Sequence, residues 1–271
     1  MTDLRGRIVV LTGASRGLGV VLARSLAAAG AHLVLVARDA AGLEAVAGVV
    51  REAGGQATVL PCDLGDAAAL AGLGPAIEAV GPVEAVIHNA GVEVPVAVID
   101  LRPDDIDKTI AINLTAPLQL TRALLPGMVA RGRGAVVMVS SMSGKSPTPY
   151  NAVYTATKHG LVGFTASLRI ELAGTGVHAG VVCPGFVAET GMWAETGVKA
   201  PAALREVSPA AVVAAVWRVL GGSPQELVTQ GPVRPLLALA QLFPALDGTV
   251  LRWMGVLGAL EERAKVTAAR R

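Results

Sequence analysis

Aromatic side chains are scarce in this sequence: three phenylalanines, two tyrosines and three tryptophans make up 3 % of 271 residues. Cysteine is scarcer still. Cys62 and Cys183 each lie near the end of a strand-like apolar run, where small thiols commonly fill space, so both are expected to be reduced and inert. No charge of one sign dominates, because 23 Lys and Arg face 21 Asp and Glu for a formal charge of +2. With no basic stripe, nucleic acid is not an expected partner. No apolar run reaches the roughly 18 residues of a membrane span. The opening "MTDLRGRIVVLTG" has no basic segment, apolar stretch or small-residue cleavage site, which makes the cytoplasm the expected compartment. Neither His88 nor His159 has a second ligand at metal spacing, so no metal site is expected.

What the sequence does contain is a repeating alternation. Short, continuous β-branched runs at 8–12, 32–37, 57–61, 85–88, 135–140 and 178–183 read as strands buried on both faces of a parallel sheet. Helical patterns such as "VVLARSLAAAG", closing on Gly30, lie between them. Strand, helix, strand, repeated, predicts a doubly wound α/β sheet in one domain, whose ligands lie outside the carboxyl ends of the strands. Each of the six runs is followed there by polar or glycine-rich residues: "TGASRGLG", "ARD", "CDL", "NAG", "SSMSG" and "PGFV". Six such ends on one rim predict a groove for a cofactor and a substrate.

Gly13, Gly17 and Gly19 follow the first strand and open a helix, a turn that brings phosphate close to backbone N–H groups at a positive helix end. The second strand ends Val36, Ala37, Arg38. Alanine where a ribose-binding carboxylate would stand, with arginine next, favours NADP(H) over NAD(H), and Arg16 is placed to close on the same 2′-phosphate. The competing reading is that Arg38 only pairs with Asp39 at the surface.

Tyr154 and Lys158 are four residues apart, which stacks them on one helix face about one turn apart. A phenol titrates near pH 10, and an ammonium about 4 Å away in a partly desolvated site lowers that value enough for proton exchange near neutrality. Tyr150 has no such cation, so Tyr154 is the better base. Ser141, ending the fifth strand, is placed to hold a substrate oxygen, with Ser140 and Ser143 as competitors.

Thr12 to Gly19 match TGxxxGxG, Asn89 to Gly91 match NAG, and Ser141 stands ahead of YxxxK at Tyr154 and Lys158. Together, over about residues 5–190, the sequence resembles the short-chain dehydrogenase/reductase family. The resemblance implies a Rossmann-type sheet of seven parallel strands, with Tyr154 as acid/base, Lys158 lowering its pKa and binding the nicotinamide ribose, and Ser141 holding the substrate oxygen. It implies that Asn113 positions a water linking Lys158 to solvent, although an asparagine there can also cap or kink a helix. The implied cofactor surface comprises Gly13, Ser15, Arg16, Gly17, Leu18 and Gly19, then Arg38, Asp63, Leu64, Asn89, Ala90 and Gly91, and finally Tyr154, Lys158, Pro184, Gly185, Val187 and Thr190. Asp63 as a helix N-cap and Asn89 to Gly91 as an ordinary turn remain alternatives. A homodimer or homotetramer joined through the helices holding Asn113 and Tyr154 is also implied.

Two departures from the family stand out. Glu189 occupies the place of the family's amide-binding threonine, with Thr190 one residue later, and Met192 and Trp193 follow as a possible apolar wall. Beyond the core at residues 1–230, residues 231–271 form an apolar extension interrupted by Pro235, Pro244, Asp247 and Arg252, which reads as two short amphipathic helices. Three readings compete, that it covers the substrate pocket, packs against a second subunit or lies on a membrane surface; packing on the core or a partner subunit is expected, with membrane-surface contact least favoured. Its last basic residues, Arg263, Lys265, Arg270 and Arg271, read as a solvated tail. The expected activity is NADP(H)-dependent interconversion of a ketone or aldehyde with its alcohol, as a carbonyl reductase on an apolar substrate. The alternative is a non-catalytic dinucleotide-binding redox sensor or scaffold.

Overall fold

The computed structural model describes residues 3–201, 204–230 and 233–270; Gly231, where the extension was expected to begin, and Arg271 lie outside them. The sheet is made of β1 (Ile8–Thr12), β2 (His32–Ala37), β3 (Gln56–Pro61), β4 (Val83–His88), β5 (Gly134–Val139), β6 (Val177–Pro184) and β7 (Gln225–Val228). The order is β3-β2-β1-β4-β5-β6-β7, and every pairing is parallel. The expected doubly wound sheet of seven strands is therefore present. Six strands lie within a residue or two of the apolar runs read above. The seventh, "QELV", is a four-residue strand with two polar side chains and gave no such signal.

Side chains on successive strand residues point to opposite faces, and β1 divides accordingly. Val9 and Leu11 join one core with α1 (Leu18–Ala28), α2 (Ala40–Glu52) and α8 (Pro209–Leu220). Ile8 and Val10 join the other with α3 (Ala67–Val80), α5 (Ala116–Ala130) and α6 (Ala152–Glu171). With water excluded from both faces, all five β1 residues are buried, which is why Ile8 to Leu11 are all apolar. Helix α1 ends where the sequence places Gly30: at φ 78° it donates to the Ala27 carbonyl (2.8 Å), and Ala31 donates to that of Leu26 (3.3 Å).

Two irregular pieces matter for the site. Between α4 (Pro103–Ile110) and α5 the helix widens into a π-turn, Ala111–Thr115, in which the Ala116 N–H bonds Ala111 O five residues back. After β6 comes the short helix α7 (Gly191–Ala194). The extension forms three α-helices rather than the two expected: α9 (Val233–Leu242), α10 (Asp247–Trp253) and α11 (Val256–Ala269). Gly255, at φ 73°, makes the turn that separates the last two. None of the described helices is long and apolar enough to cross a membrane.

Candidate active site

The strand order reverses beside β1, whose neighbours are β2 and β4, and the loops diverge there. Along the carboxyl ends of the sheet runs a groove of about 760 Å³ to which all six rim loops contribute. Its floor at the switch point is held by Thr12 and Asn89. The Thr12 hydroxyl accepts from the N–H groups of Asn89 and Ala90 (3.1 Å each), and the Asn89 amide donates to the carbonyls of Thr12 and Gly13 (3.1 Å each). Asn89 thus steadies the two central strands rather than closing an ordinary turn.

The glycine loop fits a phosphate group. Gly17 caps α1 at φ 60° with no side chain over the first N–H groups. A Cβ on Gly13 would lie 2.7 Å from Ala90 Cα, and one on Gly19 would lie 2.1 Å from the Gly13 carbonyl oxygen. Only hydrogen fits at either position. Gly19 lies outside the groove lining, so its place is in packing the helix against the loop, whereas Gly13, Ser15, Arg16, Gly17 and Leu18 face the groove.

Next along the rim, Arg38 reaches Asp63 (4.0 Å), while Asp39 caps α2 by accepting from Gly42 N–H (3.1 Å). The alternative Arg38–Asp39 pair is therefore not formed. Nor is Asp63 a helix cap, since Asp66 fills that position on α3. Arg16 departs from expectation: it pairs with Glu195 just past α7 instead of converging with Arg38. Leu64, Ala90, Gly91, Pro184, Gly185 and Val187 line the groove further in. The one-residue offset of Thr190 is absorbed by a tight turn. Glu189 takes φ 63°, Thr190 N–H closes onto Ala188 O (2.6 Å), and the Thr190 hydroxyl comes to lie 3.5 Å from where a Gly17 Cβ would be.

Tyr154 and Lys158 share the buried face of α6 with Thr157, Leu161 and Leu168, so two polar groups sit where periodicity calls for apolar ones. The competing serines are accounted for. Ser140 donates to Lys158 O (3.0 Å) and Ser143 accepts from Thr148 (2.8 Å), while the Ser141 hydroxyl accepts from Ser143 N–H (3.1 Å) and stands beside the Tyr154 phenol. Asn113 sits in the π-turn, fully buried behind the groove wall. Its side chain is committed to Val92, accepting from its N–H (2.8 Å) and donating to its carbonyl (2.7 Å).

Comparison with known proteins agrees with this geometry. Residues 7–200 match the sequence model of the short chain dehydrogenases. The chain belongs to that family. It is 39 % identical over 272 residues to the ketoacyl reductase HetN of Nostoc sp., covering 98 % of this chain and 95 % of the other. Among solved structures it is similar to a metagenomic short-chain oxidoreductase in complex with NADP (TM-score 0.72, 34 % identity, 84 % of this chain and 98 % of that one). It is also similar to a 3-oxoacyl-(acyl-carrier-protein) reductase from Agrobacterium tumefaciens with NADP bound (TM-score 0.77, 29 %, 85 % and 95 %). The share of this short-chain dehydrogenase left uncovered by the two structures is about the length of its extension.

The electrostatics of this family member correct one expectation. Burial pushes the Tyr154 phenol up rather than down, the Glu93 carboxylate pushes it the same way, and the Ser141 hydrogen bond and Arg263 oppose them. The Lys158 ammonium lies 5.4 Å from the ring centroid and donates to Val139 O (2.9 Å) at the end of β5, while burial lowers its pKa to about 8. The phenol is therefore protonated at neutral pH, with a mostly charged lysine beside it.

Arg263 is not in a solvated tail. It is buried in α11, donating to both carboxylate oxygens of Glu93 and to Met192 O (3.0 Å), with its guanidinium 5.1 Å from the Trp193 ring centroid. The extension walls the far half of the groove with Leu236, Leu237, Val250, Leu251, Met254 and Leu260. Sequence reasoning passed over Glu93, Asn151 and Arg263. The first stands two residues past the NAG motif, which is a usable signal, but nothing in spacing joins it to a residue 170 positions later.

Proposed function

We propose that the protein is an NADPH-dependent carbonyl reductase acting on an apolar ketone of the ketoacyl kind. The reading is carried by one observation: Ser141, Tyr154 and Lys158 meet in the same groove as the glycine loop and Arg38. The names of the similar proteins, ketoacyl and 3-oxoacyl reductases and NADP complexes, support it, and the apolar wall of the extension supports an apolar substrate.

In this reading Gly13 to Gly17 and the start of α1 take the pyrophosphate, and Arg38 takes the 2′-phosphate. Asp63 and Leu64 border the adenine, Ala90 and Gly91 the middle of the cofactor, and Val187 and Thr190 the nicotinamide end. NADPH when bound supplies the hydride. Ser141 donates a hydrogen bond to the substrate carbonyl oxygen, and the protonated phenol of Tyr154 gives that oxygen its proton as negative charge develops there. Lys158, held on Val139 O, keeps a positive charge beside the phenolate left behind. A phenol raised by burial suits the direction of reduction, because the proton must be present before it is given.

The test is NADPH consumption, followed by absorbance, with 3-ketoacyl thioesters of increasing chain length. We expect turnover by the wild-type protein and higher kcat/KM for longer chains. In Tyr154→Phe, kcat should fall about 10²- to 10⁴-fold with NADPH binding retained. Unchanged turnover in that variant would remove Tyr154 from the mechanism, and NADPH binding without turnover by the wild-type protein would leave only a dinucleotide sensor.

A further inference from the structure

The groove contains an ion pair that the expected machinery does not use. Glu93 follows the NAG loop, and Arg263 lies on α11; both side chains are more than nine-tenths buried. Burying two charges is costly unless their remaining hydrogen-bonding positions are filled, and here other segments fill most of them. Asn151, at the start of α6, leaves the helix cap open and donates to Glu93 Oε2 (2.7 Å). Arg263 also donates to Met192 O (3.0 Å) in α7 and lies over Trp193, while its Nε is left without a partner. The NAG loop, the start of α6, α7 and the last helix are thereby tied at one point, and Glu93, Met192, Trp193, Arg263 and Tyr154 all line the same groove.

We propose that Arg263 is a positioning residue for the reaction: its pairing with Glu93 seats the last helix as the wall of the substrate site and cancels a carboxylate charge beside Tyr154. The inference rests on the reductase reading above. A buried arginine with only a structural duty would not need to stand within electrostatic reach of the phenol, yet Glu93 and Arg263 act on Tyr154 with opposite signs. The other charged or titratable groups facing this centre are Lys158 on α6 and Cys183 on β6, and burial pushes the Cys183 thiol to about 11, leaving it neutral. Beyond burial and Lys158, the carboxylate and the guanidinium are thus the buried charges of opposite sign that act on the phenol.

The sign of each substitution follows. Removing the guanidinium leaves the carboxylate unopposed and raises the phenol's pKa, whereas removing the carboxylate's charge lowers it. The readout is the pH profile of alcohol oxidation with NADP⁺, whose positive nicotinamide ring draws the phenol's titration back down, and in which the rate rises as Tyr154 loses its proton. In Arg263→Met the midpoint should move up by about one unit, and in Glu93→Gln it should move down by a similar amount. The double variant should lie near wild type. Arg263→Lys, which keeps the charge but not the two-pronged contact, should keep the wild-type midpoint and raise KM. Should Arg263→Met fail to fold, Glu93→Gln and Arg263→Lys decide. Midpoints that stay put, or move the same way in both neutral variants, overturn the inference while the wild-type enzyme still turns over. A wild-type protein with no turnover overturns the reductase reading, and this inference with it.

Discussion

His88 and Arg38 show how far a single side chain carries an argument here. His88 is buried at the end of β4 with Nε2 2.9 Å from the Thr121 hydroxyl, and burial lowers its pKa from 6.5 to about 3. The unfolded chain therefore takes up a proton on this residue between those two values and the folded protein does not. Stability from His88 is fully present above pH 6.5 and is lost as pH falls toward 3, by an amount on the order of a few kcal/mol. Urea unfolding at pH 7 and pH 4 should show a smaller loss in His88→Gln, which keeps a hydrogen-bonding partner for Thr121 but does not titrate; an equal loss would contradict the assignment. Arg38 is half exposed and its only described charge partner is Asp63, so its truncation should leave the fold intact. Arg38→Ala should raise the KM for NADPH about 10-fold or more while changing that for NADH little. Equal losses for the two cofactors would remove the phosphate argument.

At the scale of elements, the glycine loop and first helix form a unit whose contacts leave no room for a side chain. Gly19→Ala places a methyl group 2.1 Å from the Gly13 carbonyl oxygen, which is backbone and cannot step aside. We expect a loss of about 1–3 kcal/mol in stability and weaker NADPH binding, measured by denaturation and by fluorescence titration. Gly72→Ala on α3 is the control, since a Cβ there meets nothing within 4 Å; it should be neutral or stabilise by up to about 1 kcal/mol. The strands and the glycine loop were legible because their constraints are local: period, turn chemistry and the absence of a side chain all act within a few residues. Strand β7 was not, because four residues carrying Gln225 and Glu226 have no apolar run to detect. The γ-turn at Glu189 was equally hidden, since a non-glycine residue at positive φ has no sequence signature.

For the whole molecule, we propose that copies associate through exposed apolar side chains on three helices. Ile110 at the end of α4, Val129 near the end of α5 and Ile170 at the end of α6 are exposed, Ile170 by 72 %, and these helices adjoin the Asn113 and Tyr154 segments through which a homo-oligomer was expected to form. Ile170→Asp should shift the mass measured by light scattering toward the monomer; an unchanged mass would place any interface elsewhere. The extension also acts at this scale. Its inner residues wall the groove, and Arg263 joins a region 170 residues away.

The sequence by itself determined the sheet, the glycine loop and the pairing of Tyr154 with Lys158, because each depends on spacing within one element or on the order of elements along the chain. Only the tertiary structure decided which charges face the phenol. Burial, the Val139 carbonyl that takes Lys158, and the Glu93–Arg263 pair all arise from segments that meet in space without any periodic relation in sequence. The strength of each such interaction depends on how much water the surrounding fold excludes.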